Sequence, residues 1–368
     1  MSASAVRTVV VKVGSSSITA GDGALDHNAL DALVSQLARL SGDGIRPLLV
    51  SSGAIAAGRG EIGVAVAARE IDVLQALAAV GQGLLMAEYS RRLHAHRMVT
   101  AQVLLTARDF GERTAYLNAR RTLARLLAWG VVPVINENDT VATDEITFGE
   151  NDRLAALVAT LVGANLLLIL TDIPGVFSSD PRLVADATLV DEVTDFDHAL
   201  AAATAGRPGS AAGSGGMASK IAAARIAAWS GIPCVIAQAS EPDVMRRAVA
   251  GETVGTRVRA QPDRMAARKV WIAFAQATRG RLRVDEGAVD AICRRGRSLL
   301  PVGIRAVEGQ FEPGEAVEIV DAGGTLVAKG LARSSADVLR EVAARGPEKR
   351  DVPGETAVHR DDLVVLSR

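Results

Sequence analysis

The feature that most constrains the fold of this chain is a repeated alternation of short apolar runs with longer amphipathic segments. Runs rich in β-branched residues predict five strands, at residues 8–14, 46–53, 131–139, 166–172 and 233–239. Amphipathic segments between them predict helices, at residues 28–40, 71–94 and 115–129. Strands that are apolar on both faces and separated by helices are typical of a parallel sheet covered on both sides. We therefore predict an α/β fold, a three-layer αβα sandwich around a mostly parallel open sheet.

The pattern changes near Arg259. The following segment alternates with a period of two and is broken by Gly-Gly and Pro-Gly turns, which predicts a small β-barrel of roughly 75 to 80 residues. We assign residues 1–260 to a first domain, 261–275 to a linker, 276–354 to the barrel and 355–368 to a C-terminal segment.

Composition excludes several classes of protein. Hydrophobic residues make up 49% of the chain, which excludes wholesale disorder, and the net charge of −1 provides no global field for nucleic acid or membrane. Cys234 and Cys293 stand far apart and without CxxC spacing, so we expect neither a disulfide framework nor a structural zinc site. The N-terminal apolar run is too short to predict a signal peptide. The uncharged stretch Leu154–Thr171 is interrupted by Gly163 and predicts a helix and then a buried strand. We expect a cytoplasmic protein.

Lysine is rare in this chain and two lysines stand in Gly/Ser-rich segments. Only five of the 41 basic residues are lysines, at positions 12, 220, 269, 329 and 349. Lys12 lies in VVKVGSSS at the end of the first predicted strand, and Lys220 ends GSGGMASK before a helical pattern. Gly-rich backbone at a helix N-terminus binds anions, and a compact ammonium suits a transferring phosphoryl group. The pair predicts phosphate binding; the alternative for each is a solvated lysine beside a turn.

A second group of polar residues follows the later strands. NEND supplies Asn136, Glu137, Asn138 and Asp139 just after a strand, and FGEND supplies Glu150, Asn151 and Asp152 at the start of a helix. An Asx-rich turn and a helix N-cap are the structural alternatives. Because ligands bind beyond the carboxyl ends of parallel strands, we expect these residues to meet the lysines there and to hold an ammonium-bearing substrate.

Covalent catalysis has no candidate in this sequence. No Ser-His-Asp or Cys-His arrangement is evident. The five histidines do not recur at metal-ligand spacing; they stand at positions 27, 94, 96, 198 and 359. Phosphoryl transfer needs positioning and charge neutralisation more than a dedicated nucleophile.

With these motifs assembled, the chain resembles the amino acid kinase family. SSGAIAAG, INENDTVAT and GGMASK are similar to the branch of that family which phosphorylates the side-chain carboxylate of L-glutamate, the first step of proline biosynthesis. The tail, with VDEGAVDAICRRGRSLLPVGI and AVHRDD, resembles a PUA domain.

The resemblance implies a role for each matching residue. Three residues would be catalytic: Lys12, Lys220 and Asp152. The carboxylate of Asp152 would hold the ammonium groups of both lysines in place. Five would bind glutamate: Ser52, Gly53, Asn136, Asp139, which takes the α-ammonium, and Asn151. ATP would bind at Lys12, Thr171, Asp172, Gly213, Ser214, Gly215, Gly216, Met217, Ala218, Ser219 and Lys220. Mg²⁺ would travel with ATP, and no metal site in the protein is implied.

The resemblance also implies partners and carries one departure. Feedback inhibition by proline, a homo-oligomer (tetramer or dimer) and handover to a glutamyl-phosphate reductase are implied. Glu150 stands where the family usually has Asp, which puts substrate geometry or feedback sensitivity in doubt.

Two other functions stay open. One is another member of the family with a different carboxylate or phosphate acceptor. The other is RNA binding through the PUA domain, although residues 276–350 contain thirteen basic and eleven acidic side chains.

Overall fold

The computed structural model describes most of the chain, in two compact units. The described residues are 7–20, 24–63, 70–141, 150–181, 183–184, 186–194, 196, 199, 216–262, 264–344 and 356–366. The first unit comprises residues 1–109 and 114–264, and the second comprises residues 110–113 and 265–368.

An eight-stranded sheet forms the centre of the first unit. Its strands are β1 (Thr8–Val13), β2 (Arg46–Ser51), β3 (Thr100–Leu105), β4 (Val132–Glu137), β5 (Leu166–Thr171), β6 (Glu192–Val193), β7 (Cys234–Gln238) and β8 (Thr256–Val258). Their order is β3-β4-β2-β1-β5-β7-β8-β6, and neighbours are parallel except β7 and β8. The carboxyl ends of the six parallel strands therefore lie along one edge.

Helices cover both faces of this sheet. They are α1 (His27–Gly42), α2 (Ala54–Ile62), α3 (Ile71–Ala95), α4 (Ala107–Gly111), α5 (Arg113–Ala128), α6 (Glu150–Val162), α7 (Met217–Trp229) and α8 (Val244–Ala250). Alternate residues of β1, namely Val9, Val11 and Val13, are buried in one apolar cluster with α1, α3 and α8. On the other face, α6 and α7 pack against each other and against β5.

The predicted fold class is confirmed, and all five predicted strands and three predicted helices are present. Strands β3, β6 and β8 were not predicted. β3 lies at the edge of the sheet and is only partly buried, so its sequence, TAQVLL, lacks the continuous apolar run of a central strand. β6 and β8 have two and three residues, too few for any periodicity.

The second unit contains a separate five-stranded sheet. Its strands are β9 (Thr278–Val284), β10 (Ile304–Gly309), β11 (Ala316–Val320), β12 (Leu326–Ala332) and β13 (Val358–Val365), in the order β10-β9-β11-β12-β13. Its helices are α9 (Ala267–Val270), which continues into a π-helical turn (Trp271–Ala275), α10 (Glu286–Cys293) and α11 (Ala336–Ala344). A 3-10 turn at Pro301–Gly303 precedes β10. The neighbours are antiparallel except β9 and β11.

The second unit includes segments that the sequence places outside the barrel. Residues 267–275, in the predicted linker, form α9 and the π-helical turn, because Ile272 and Ala273 are buried against β12 residue Leu331. Lys329 on β12 fastens this turn by donating from Nζ to the Ala273 and Gln276 carbonyls at 3.3 and 2.5 Å. β13, in the predicted C-terminal segment, completes the sheet by pairing with β12.

Among the described residues, one helix is long and apolar enough to span a membrane by length and composition, namely α3, a test that core helices also pass. The stretch Leu154–Thr171, singled out in the sequence, instead divides into α6 and β5.

Helix α3 packs closely on α2 through two glycines. A Cβ on Gly81 would lie 1.8 Å from the Ala54 carbonyl oxygen, and one on Gly58 would lie 2.0 Å from that of Leu77. This close contact fixes the position of α3 beside the start of α2.

Candidate active site

Three charged side chains from separate segments meet where β1 ends. Lys12 is the penultimate residue of β1, Asp152 lies in the first turn of α6, and Lys220 lies in the first turn of α7. Lys12 Nζ is 2.6 Å from Asp152 Oδ1, and Lys220 Nζ is 3.3 Å from Asp152 Oδ2. The exposed fractions of the three residues are 4%, 0% and 6%. We call this group the buried charge cluster.

Ser219 also contacts the Asp152 carboxylate, through a hydrogen bond. Its Oγ lies 2.7 Å from Asp152 Oδ2, to which it donates, and 2.8 Å from the Gly216 carbonyl oxygen at the N-cap of α7. The resemblance assigned Ser219 only to ATP binding, and nothing in its sequence position indicates this contact with a residue 67 positions away. The structure therefore adds a positioning contact that sequence reasoning missed.

The cluster has an excess of positive charge at two helix N-termini. Burial pushes the pKa of Asp152 up, but the charges of Lys12 and Lys220 outweigh it, so the pKa lies below its ordinary value and the carboxylate is ionised. Burial lowers the pKa of Lys12, and Lys220 adds to this effect, whereas Asp152 opposes it. Two ammonium groups around one carboxylate, beside the N-terminal ends of α6 and α7, form a site that favours a multiply charged anion.

A network of uncharged polar groups lies beside this cluster, at the ends of β2 and β4. Asn151 Nδ2 is 3.0 Å from both Ser52 Oγ and Asn136 Oδ1, and Asn136 Nδ2 donates to Gln82 Oε1 at 2.8 Å. We call these four side chains, of Ser52, Gln82, Asn136 and Asn151, the amide network. Gln82 was not predicted, because it lies within the long apolar helix α3, where a single glutamine has no distinguishing pattern.

The segment after β2 places Ser52 at the network through a glycine. The Ser52 amide donates to the Val13 carbonyl at 3.1 Å, and Gly53 follows with a φ of 102° at the N-cap of α2. This left-handed conformation favours glycine, and a Cβ at Gly53 would also lie 3.0 Å from Ile18 Cδ1. Gly53 therefore turns the chain from β2 directly into α2.

The predicted nucleotide residues are described in part. Thr171 is buried at the end of β5 and its Oγ1 donates to Asp172 Oδ1 at 3.0 Å, while Asp172 is exposed. Gly216, Met217, Ala218, Ser219 and Lys220 form the start of α7. Gly213, Ser214 and Gly215 lie outside the described residues.

Two further predicted positions flank the amide network. Asp139 is half-buried in the turn after β4, and the neighbouring Asn138 anchors that turn by donating its backbone N–H to the Leu105 carbonyl at 3.0 Å. Glu150 is the first residue of α6, and its side chain lies outside the described residues. The effect of Glu150 on substrate geometry stays a prediction.

The chain is an α/β protein with a buried, positively charged site at the carboxyl edge of a parallel sheet, and comparison with known proteins gives its family. The amino acid kinase family model matches residues 7–238, and the PUA domain model matches residues 280–350. A glutamate 5-kinase of Caldanaerobacter subterraneus is 44% identical over 98% of both chains, and one of Burkholderia mallei is 48% identical, also over 98% of both. The chain belongs to the amino acid kinase family, and its relatives place it among the glutamate 5-kinases.

A solved structure supports the fold independently. The chain is similar to carbamate kinase from Giardia lamblia bound to AMP-PNP, with a TM-score of 0.52 and 19% sequence identity, over 70% of this chain and 99% of that one. The family matches confirm the resemblance for the family, and this structure confirms it for the fold.

Proposed function

We propose that this chain transfers the γ-phosphoryl group of ATP to the side-chain carboxylate of L-glutamate, which produces L-glutamyl 5-phosphate. The observation that carries this proposal is the buried charge cluster. Removing two ammonium groups and a carboxylate from water costs several kcal/mol for each ion, and a bound polyphosphate compensates for that cost. The names and 98% coverage of the glutamate 5-kinase relatives support the choice of substrate.

The chemistry is a direct displacement at phosphorus. A carboxylate oxygen of glutamate attacks the γ-phosphorus, the bond from that phosphorus to the β–γ bridging oxygen breaks, and ADP leaves with the electron pair. Lys12 and Lys220 neutralise charge on the equatorial phosphoryl oxygens as the reaction proceeds. Asp152 and Ser219 keep the two ammonium groups in position, and no covalent enzyme intermediate is needed.

Substrate recognition falls to the amide network and the turn after β4. We assign Ser52, Gly53, Asn136 and Asn151 to glutamate, and Asp139 to its α-ammonium group. Thr171, Asp172 and residues 213–220 take the nucleotide. Magnesium would come with ATP and would offset charge on its phosphates, as hard cations do at such sites; we assign it no ligand from this chain. The described residues contain no group of three or more His, Cys, Asp or Glu positioned for a metal.

One assay tests both reaction and substrate. The purified chain is incubated with Mg-ATP, L-glutamate and hydroxylamine, which traps an acyl phosphate as the hydroxamate. We expect glutamate-dependent hydroxamate with stoichiometric ADP and none with aspartate. Turnover of aspartate, acetylglutamate or uridylate in place of glutamate would keep the fold and overturn the substrate; no turnover of any acceptor would overturn the reaction.

The proposed activity carries several associated proposals. An acyl phosphate hydrolyses readily, so we propose handover to a glutamyl-phosphate reductase in the cytoplasm. Proline, which shares the amino acid head group of glutamate, is proposed as a feedback inhibitor, and saturating proline that left turnover unchanged would remove it. We propose a homo-oligomer, a tetramer or dimer, which sedimentation at several concentrations tests.

A second candidate function is RNA binding by the second unit, favoured by one cavity. This cavity of about 710 Å³ is lined in part by Arg297, Arg305 and Arg360. Two of these arginines are paired, since Arg305 lies 2.6 Å from Asp285 and Arg360 lies 3.7 Å from Asp361. The arginines of β9 are paired as well, Arg281 with Glu318 at 2.9 Å and Arg283 with Glu308 at 3.3 Å. RNA affinity through phosphates should fall steeply between about 50 and 200 mM salt; a salt-independent or undetectable affinity would remove this candidate.

A further inference from the structure

Gln82 connects α3 to the residues assigned to glutamate. It follows Gly81, whose close contact with the Ala54 carbonyl holds α3 against α2. Its carboxamide oxygen accepts a hydrogen bond from Asn136 Nδ2 at 2.8 Å. Gln82 is thus the member of the amide network that lies outside the motifs recognised in the sequence.

Backbone chemistry fixes the direction of every hydrogen bond in this network. The Glu137 backbone N–H can only donate, and it lies 2.9 Å from the side chain of Asn136, so the Asn136 atom facing it is the oxygen. The nitrogen of Asn136 therefore faces Gln82, which must present its oxygen. By the same logic Asn151, which faces the oxygen of Asn136 at 3.0 Å, presents its nitrogen.

This direction leaves one donor and one acceptor over. Gln82 Nε2 and Asn151 Oδ1 are both buried, and neither has a hydrogen-bond partner in the described structure. A buried polar group without a partner costs free energy, so an unpaired donor and acceptor in one network indicate a ligand with matching groups. An amino acid supplies both, because its α-carboxylate accepts and its α-ammonium donates.

We propose that Gln82 is a substrate-recognition residue whose Nε2 donates to the α-carboxylate of the amino acid acceptor. Its Oε1 meanwhile holds Asn136, and through it Asn151, in the orientation that leaves Asn151 Oδ1 for the α-ammonium. This inference rests on the proposed function for the acceptor being an amino acid. The side-chain carboxylate is not the partner of Gln82, because that group must reach the phosphoryl group at the buried charge cluster.

The test replaces the donor while keeping the acceptor. Gln82→Glu has the same size, still accepts from Asn136, and sets a negative charge against the substrate carboxylate. We expect the glutamate KM to rise roughly 10- to 150-fold, the range for a lost hydrogen bond to a charged group, with the ATP KM and kcat at saturating glutamate little changed. Gln102→Glu, the same charge change at an exposed position of β3, serves as the matched control and should alter neither constant.

A substrate analogue separates recognition from a merely structural role. The α-amide of glutamate carries N–H donors where glutamate has its α-carboxylate. The wild type should prefer glutamate, and Gln82→Glu should shift the kcat/KM ratio toward the α-amide by roughly 10-fold or more. Gln82→Met, which neither donates nor accepts, should raise the glutamate KM without shifting preference toward the amide.

Each outcome decides the proposal. An unchanged glutamate KM in Gln82→Glu, or an equal loss for glutamate and its α-amide, overturns it. Failure of both variants to fold, judged by thermal unfolding, assigns Gln82 to stability and overturns it as well. Absence of glutamate turnover in the wild type overturns the proposed function instead, so the two failures are distinguishable.

Discussion

The buried charge cluster of the first unit and the arginines of β9 in the second unit are built from the same chemistry and differ in their contact with water. Asp152 is fully buried between Lys12 and Lys220. Arg281 pairs with Glu318 at a similar distance of 2.9 Å, yet 46% of its side chain is exposed. Distance alone does not separate the two groups, whereas burial does.

Burial determines how strongly a charged group affects stability and ligand binding. An exposed ion pair keeps most of its hydration and gains only a weak, screened attraction, so its contribution to stability is about 0–1 kcal/mol. A buried group of two ammoniums and one carboxylate loses hydration without full neutralisation, which makes it an expensive arrangement for a folded state to keep. The buried charge cluster is therefore expected to respond strongly to substitution and to ligand, and the β9 arginines weakly to both.

Asp152→Asn should have the largest effect. The change leaves two buried ammonium groups without a counter-charge, so we expect a loss of about 3–5 kcal/mol in the free energy of unfolding and a fall in kcat of at least about 10³-fold. Urea unfolding and the hydroxamate assay measure the two. The pKa of Asp152 is lowered in the folded state, so its stabilisation is present above the unfolded pKa. The gap between wild type and variant should therefore shrink as pH falls below about 4.

Lys12→Ala and Lys220→Ala should follow, with kcat reduced about 10²- to 10³-fold each and the glutamate KM changed far less. The reason is that the ammonium charge matters most when negative charge shifts in the transition state. Steady-state kinetics with both substrates varied gives the split, and Lys269→Ala in α9 is the control. Losses confined to KM would mean that the lysines only bind ground-state substrate.

A smaller effect is expected in the pH dependence of ATP affinity, which reports on the buried charge cluster. Burial lowers the pKa of Lys12. Its ammonium therefore loses its proton at a lower pH than an ordinary lysine, whose pKa is about 10.4. ATP affinity without glutamate should weaken as pH rises through this lowered pKa, by roughly 10- to 100-fold in total. Calorimetric titration from neutral to alkaline pH measures it. Lys12→Arg, whose charge does not titrate there, should show no such decline, and an unchanged decline in that variant would assign it to another group.

Arg281→Ala should have the smallest effect. Its ion pairs are exposed, so we expect a change below about 1 kcal/mol in the free energy of unfolding, reduced further by salt, and unchanged glutamate turnover. Urea unfolding at low and high salt provides the measurement. A loss as large as that of Asp152→Asn would show that burial does not separate the two groups.

Local signals in the chain were sufficient for the α/β fold and for much of the candidate site. The β-branched runs predict central strands because residues buried on both faces leave a continuous apolar pattern, as in LLLILT of β5. Lys12, Asp152 and Lys220 were singled out because rare lysines and clustered carboxylates stood at strand and helix ends. The edge strand β3 was not predicted, since a partly buried strand has a weaker apolar pattern in its sequence.

The family, the parallel sheet and the identity of the charged residues could all be predicted, because each depends on motifs and periodicities within short windows. Which atoms meet depends on the folded chain. Ser219 reaches Asp152 across 67 positions, and Gln82 reaches Asn136 across 54. Such contacts arise from helix packing, here the approach of α3 to α2 through Gly58 and Gly81. No local pattern encodes them, because hydrogen-bond partners and burial depend on surfaces that exist only after the chain has folded.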